Sequence, residues 1–179
     1  MRYFKKIVGE RIYLSPMNTD DVEIYTKWLN DPNVSVNLGQ YTKTISLVTE
    51  QKALEKMASE GHNFSIVKND DTVIGNISFF DVNHISRNAM MGLFIGEEED
   101  RGKGYGAEAL RLILDYGFNT LNFHNVMLGV FSDNEGAIAC YKKVGFIEMG
   151  RRREARFKNG RYVDDVFMDI LATEFNKSK

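Results

Sequence analysis

The stretch Arg101-Gly102-Lys103-Gly104-Tyr105-Gly106 is the best equipped for chemistry in this chain of 179 residues. It follows the acidic run Glu97–Asp100, with an apolar run, Ala89 to Ile95, before that and a periodic segment, Glu108 to Asn119, after it. A strand that feeds a glycine-dense turn opening a helix leaves several backbone N–H groups unpaired and aimed at one point, which is an anion cradle. Three glycines at alternate positions let the backbone adopt positive φ and approach a ligand without Cβ interference. Arg101 and Lys103 add positive charge. The expected ligand is a phosphate-bearing cofactor. A Walker loop is excluded because Lys103 is followed by Gly104 where that motif needs Ser or Thr. Gly102-x-Gly104-x-x-Ala107 does satisfy the dinucleotide fingerprint, so a nicotinamide-dependent oxidoreductase stands as a rival reading.

A second constellation runs from Asn134 to Phe146 and includes Ala137, Tyr141 and Gly145. By itself it reads as a capped amphipathic helix with Ile138, Tyr141 and Val144 packed inward. The single cysteine, Cys140, lies in it without an evident His or Asp partner, so helix packing is expected of it and nucleophilic catalysis is not.

Taken in order, strand, Arg101-x-x-Gly104-x-Gly106, helix, strand, then Asn134-x-x-Ala137-x-x-x-Tyr141-x-x-x-Gly145-Phe146 resembles the coenzyme-A acetyltransferase superfamily called GNAT. Within it the chain is most similar to the RimJ/RimL-type ribosomal-protein N-terminal acetyltransferases and the related polyamine acetyltransferases. The resemblance implies an acetyl-CoA-dependent N-acetyltransferase of α+β class: a mainly antiparallel, seven-stranded mixed sheet with two central splayed parallel strands and about four helices. It further implies that backbone groups of Leu93, Phe94 and Ile95 pair with the pantetheine arm, and that Arg101, Gly102, Lys103, Gly104, Tyr105 and Gly106 hold the pyrophosphate. Asn134 would bond the cofactor arm, and Tyr141 would protonate the departing thiolate. No metal is implied. The acceptor would be a protein N-terminus or a small amine, attacked directly without a covalent enzyme intermediate. Many relatives carry a glutamate where this chain has Met90 and Met91, which leaves Asp81, His84 and Glu148 as substitute bases and a non-catalytic coenzyme-A sensor as an alternative. Gly39-Gln40-Tyr41 replaces the acidic residues that polyamine enzymes often place there.

The elements that must position these residues are legible as patterns. Alternation predicts a strand at Arg11–Ser15, and Val22, Tyr25, Trp28 and Leu29 share a helix face that ends before Pro32. Pro32 to Ser46 reads as an irregular connection, Thr49 to Ser59 as a second helix, and Asn63–Val67 with Thr72–Phe80 as a hairpin. Asn125–Phe131 reads as a strand buried on both faces. Phe146–Phe157 and Tyr162–Leu171 flank an Asn159-Gly160 turn, the strongest hairpin signal in the chain. Glu97–Asp100 reads as a solvated turn.

Length fits one domain over residues 1–179, and 43% hydrophobic with 27% charged residues fits a globular chain. A net charge of −2 gives no bulk attraction to nucleic acid or an anionic membrane. One cysteine, no apolar leader segment and no long apolar run predict a cytoplasmic protein. Nothing in the sequence argues against a homodimer.

Overall fold

The computed structural model describes residues 2–175. In chain order its elements are β1 (Ile7–Val8), β2 (Ile12–Pro16), α1 (Val22–Asn30), α2 (Pro32–Ser35), α3 (Leu47–Ser59), β3 (Asn63–Lys68), β4 (Val73–Asn83), β5 (Asn88–Ile95), α4 (Tyr105–Asn119), β6 (Asn125–Phe131), α5 (Glu135–Val144), β7 (Ile147–Lys158), β8 (Arg161–Leu171) and α6 (Ala172–Phe175). The strands form one mixed sheet in the order β1-β2-β3-β4-β5-β6-β8-β7. The β1–β2, β2–β3, β3–β4, β6–β8 and β7–β8 ladders are antiparallel, and β5 pairs β6 in parallel.

Among the described residues eight strands stand where seven were expected. The extra one is β1, two residues paired Ile7↔Leu14 and Val8↔Tyr13, too short to leave a period in the sequence. The Pro32–Ser46 segment is not wholly irregular either. Asp31 accepts from the Asn33 amide at 2.9 Å and Pro32 takes the first helical position, which together start the single turn of α2. The Asn159-Gly160 hairpin forms as expected, with both residues left-handed (φ 51° and 78°) as a type I′ turn requires.

The chain divides into two compact units, one through Ser78 with Leu93–Leu112, the other Phe79–Gly92 with the chain from Ile113 onward; β4, β5 and α4 each contribute to both. The core of the first gathers Tyr3, Tyr13, Tyr25, Trp28, Leu54 and Val67, with Phe94 packed against it. Trp28 meets Tyr25 and Phe94 edge-on at 5.2 and 5.9 Å. Its indole lies so close to the backbone at Gly96 that a Cβ there would overlap the ring. Residue 96 must therefore be glycine for the chain to leave β5 over Trp28.

In the second unit Gly117 lets α4 press onto Phe79, and Phe79 packs edge-on against Phe123 at 5.2 Å. β6 is not buried on both faces. Val126, Leu128 and Val130 are buried while Met127 and Phe131 are half-exposed and Gly129 is open. The apolar run misled because Met127 and Phe131 lie on a face that is only partly covered. β7 is exposed along most of its length, and β8 supplies buried Val166, Met168 and Ile170. No helix of the described residues is long and apolar enough to cross a membrane.

Candidate active site

In the first unit β5 ends at Ile95, a single 3-10 turn (Glu98–Asp100) follows, and α4 begins at Tyr105. Between them Gly102 and Gly104 are left-handed, with φ of 71° and 88°. Gly106 differs from expectation: it is the second residue of α4, so helical backbone rather than positive φ is required of it. The Glu108 amide makes the helical bond to the Gly104 carbonyl at 3.0 Å. The amides of Tyr105, Gly106 and Ala107 precede that bond and have no intrahelical acceptor, so they face out of the helix N-terminus beside the open Gly102 turn. This is the anion cradle, and its donors suit a pyrophosphate.

The charged side chains around it act differently from what the sequence suggests. Arg101 donates to the carbonyls of Ile95 (3.1 Å), Gly96 (2.7 Å) and Asn33 (3.4 Å), so its guanidinium clamps the chain entering the loop. Nor is the preceding acidic run simply solvated. Glu97 accepts from Lys27 Nζ at 2.6 Å and Trp28 Nε1 at 2.9 Å, bonds that hold its carboxyl below the usual range. Asp100 is buried beside Lys68, 3.4 Å away.

Two residues far apart in the chain brace the loop. Arg11 donates through Nη1 to the Lys103 carbonyl at 2.8 Å and through Nε to Glu108 Oε2 at 3.0 Å, and its guanidinium lies 5.0 Å from the Tyr105 ring centroid. Glu108 also accepts from the Arg11 and Ile12 amides at 2.8 and 3.3 Å. Burial would push the Glu108 carboxyl up, but the bonds from Arg11 and Ile12 outweigh it and leave it below the ordinary value. A depressed carboxyl stabilises the fold above its unfolded value, and that contribution is lost as the pH falls through the folded one. Glu108→Gln is expected to raise the KM for acetyl-CoA three- to tenfold with kcat within twofold, read from steady-state kinetics at varied acetyl-CoA.

Leu93, Phe94 and Ile95 are half-buried. In the second unit the parallel ladder joins Asn88–Met90 to Asn125–Met127, and among the described residues it includes no pair beyond Met90.

α5 carries the other two predicted residues. Asn134 is its N-cap: the side-chain oxygen accepts from the Ala137 amide at 3.3 Å, leaving the amide NH2 outside the cap. Tyr141 lies seven residues on, two turns along the same face. It is 8% exposed and meets Phe146 edge-on at 5.8 Å. Burial, with a smaller contribution from Cys140, raises its phenol well above the ordinary value and keeps it protonated at neutral pH. Ile138 and Cys140 are half-buried instead of core, since the buried face of α5 is set by Tyr141 and Val144. Of the substitute bases, Glu148 is engaged by Arg151 at 2.6 and 3.1 Å. Asp81 and His84 are exposed, Asp81 at a left-handed position in β4 (φ 49°). No group of three metal-ligating side chains occurs among the described residues.

A strand leading into a glycine-built anion cradle at a helix N-terminus is the architecture of a coenzyme-binding acyltransferase. Residues 11–147 match the family model of the acetyltransferase (GNAT) domain, and the chain belongs to that family. It is an acetyl-CoA-dependent N-acetyltransferase. The spermidine N(1)-acetyltransferase of Escherichia coli K12 is 29% identical over 166 residues, 92% of this chain and 88% of that protein. "Probable N-acetyltransferase YjcK" of Bacillus subtilis is 36% identical over 129 residues, 69% of this chain and 68% of its own length. The crystal structure of the Vibrio cholerae spermidine N-acetyltransferase in complex with CoA and spermine superimposes with a TM-score of 0.83 at 26% identity, covering 94% of this chain and 99% of that one.

Proposed function

We propose that the acetyl group goes to a primary amine of a small, multiply charged alkylamine of the spermidine type. The observation that carries the coenzyme half of this reading is the loop with left-handed Gly102 and Gly104 opening a 15-residue helix. The acceptor half is supported by the similarity to spermidine acetyltransferases along most of the chain. In this reading the amides from Gly102 through Gly106 take the pyrophosphate while Arg101, whose own amide donates to the Glu98 carbonyl at 3.0 Å, holds the loop in place, and backbone groups of Leu93, Phe94 and Ile95 pair with the pantetheine arm. The free amide of Asn134 donates to that arm.

The transfer itself needs few groups from the chain. A neutral amine nitrogen bonds to the acetyl carbonyl carbon, the carbon–sulfur bond breaks, and the thiolate takes the proton of the Tyr141 phenol. The proton lost by the amine leaves through solvent, and the phenol is reprotonated the same way. Neither Cys140 nor a metal enters the step.

Protein N-termini are the second acceptor class, carried by the RimJ/RimL resemblance. A thiol-release screen over spermidine, alkyl monoamines, aminoglycosides and N-terminal peptides separates the two. Turnover with spermidine at least tenfold more efficient than with any peptide is expected. The reverse order would replace the small-amine reading with protein acetylation.

A further inference from the structure

Glu50 lies in the first turn of α3, whose N-cap is Ser46: the Ser46 Oγ accepts from the Thr49 amide at 3.1 Å. The position of that turn is set by Asn30 at the end of α1. Its side-chain amide donates to the Thr26 carbonyl (2.8 Å) and the Ile45 carbonyl (2.7 Å), and its oxygen accepts from the Ile45 amide (3.2 Å). Asn30 thus fastens the end of α1 to the residue just before the α3 cap. One turn back along α1 is Thr26, and one turn forward along α3 is Glu50. Both helices belong to the first unit and bury Tyr25, Trp28 and Leu54 in its core.

These two facing turns carry polar groups without partners. Glu50 is only 5% exposed, and among the described residues its carboxyl has neither a hydrogen-bond nor an ion-pair partner. The Thr26 hydroxyl is buried and likewise unpartnered. The Glu50 carboxyl is close enough to Tyr25 to act on that phenol electrostatically, whereas the Tyr25 hydroxyl itself is occupied by Ser65 (3.4 Å) and donates to the Gly75 carbonyl (3.2 Å). The neighbouring cation on α1, Lys27, is taken by Glu97. Burial pushes the Glu50 carboxyl up to about 7 with no nearby cation to oppose it. A carboxyl withdrawn from water and left without a donor costs stability unless something positive completes it.

We propose that Glu50 and Thr26 form a cation subsite that takes an ammonium group of the acceptor, selecting alkylamines with a positive charge beyond the one acetylated. An ammonium supplies three donors, enough for the carboxylate and the threonine oxygen together. The proposal rests on the small-amine reading above and names the residues that enforce it. It uses none of the residues assigned to acetyl-CoA.

The test is titration calorimetry of spermidine with the full chain, wild type against Glu50→Gln and Thr26→Val, run beside acetyl-transfer kinetics with spermidine and n-hexylamine. Glu50→Gln is expected to weaken spermidine binding and raise its KM tenfold or more, with the KM for acetyl-CoA and for hexylamine within twofold. Thr26→Val should weaken spermidine about threefold. A carboxyl whose value is raised on folding lowers stability as the pH climbs from its unfolded value to about 7. Glu50→Gln should accordingly melt no lower than wild type at pH 8, so lost binding in a folded variant is lost recognition. Equal spermidine affinity in wild type and Glu50→Gln, or none in wild type, overturns the subsite. Spermidine binding that depends on Glu50 without spermidine turnover leaves the subsite standing and sinks the small-amine acceptor reading instead.

Discussion

Tyr141→Phe is expected to lower kcat by 10²-fold or more while the affinity for acetyl-CoA stays within about twofold, the scale of losing one positioned acid. The substitution removes only the hydroxyl. The ring that meets Phe146 at 5.8 Å remains, so the packing that fixes the C-terminal turn of α5 is kept. Gly145 and Phe146 both donate to the Tyr141 carbonyl at 3.1 Å, which a phenylalanine leaves unchanged. What is lost is the phenolic proton. Because the phenol is raised, with burial the larger cause and Cys140 the smaller, it stays protonated across neutral pH. Wild-type kcat should therefore show no tyrosine limb between pH 6 and 9. Calorimetry for acetyl-CoA and a thiol-release assay for turnover make the separation. Turnover by Tyr141→Phe at the wild-type rate would take the acid role from this residue.

The order of elements, the glycine loop and the capped helix were legible because each leaves a local mark. Asn159-Gly160 dictates its turn, Asn134 caps its helix, and the glycines of the loop stand between an apolar run and a periodic one. What stayed hidden depends on contacts between distant residues. Arg11 and Glu108 are 97 residues apart, and nothing in either neighbourhood predicts that one strand end will brace the loop through the other's helix. The bonds of Glu97 to Lys27 and Trp28 are of the same kind, which is why the acidic run reads as solvent-facing in sequence. Glu50 was invisible for a related reason. A glutamate early in a helix is ordinary near the positive end of the dipole, and only the Asn30 staple and the packing on α1 show that it is buried. Gly96 is legible only once the Trp28 ring lies over it.

The loop offers a second large effect, because its two left-handed glycines are not equivalent. Gly102 has φ 71° and open space where a Cβ would stand, whereas a Cβ on Gly104, at φ 88°, would come within 3.1 Å of Arg11 Nη2. Asparagine tolerates the left-handed region, so Gly102→Asn should change acetyl-CoA affinity less than about threefold. Gly104→Val combines a β-branched side chain at strongly positive φ with displacement of the guanidinium that holds the Lys103 carbonyl and Glu108. Strain of about 1–3 kcal/mol at such a position, if relieved by moving the loop, corresponds to roughly five- to 150-fold weaker acetyl-CoA binding. The effect belongs to Gly104 itself only if Arg11→Ala, which empties the space without forcing the backbone, loses less. Equal affinity in Gly104→Val and wild type, measured by calorimetry on folded protein, would mean that the amides opening α4 do not hold the pyrophosphate.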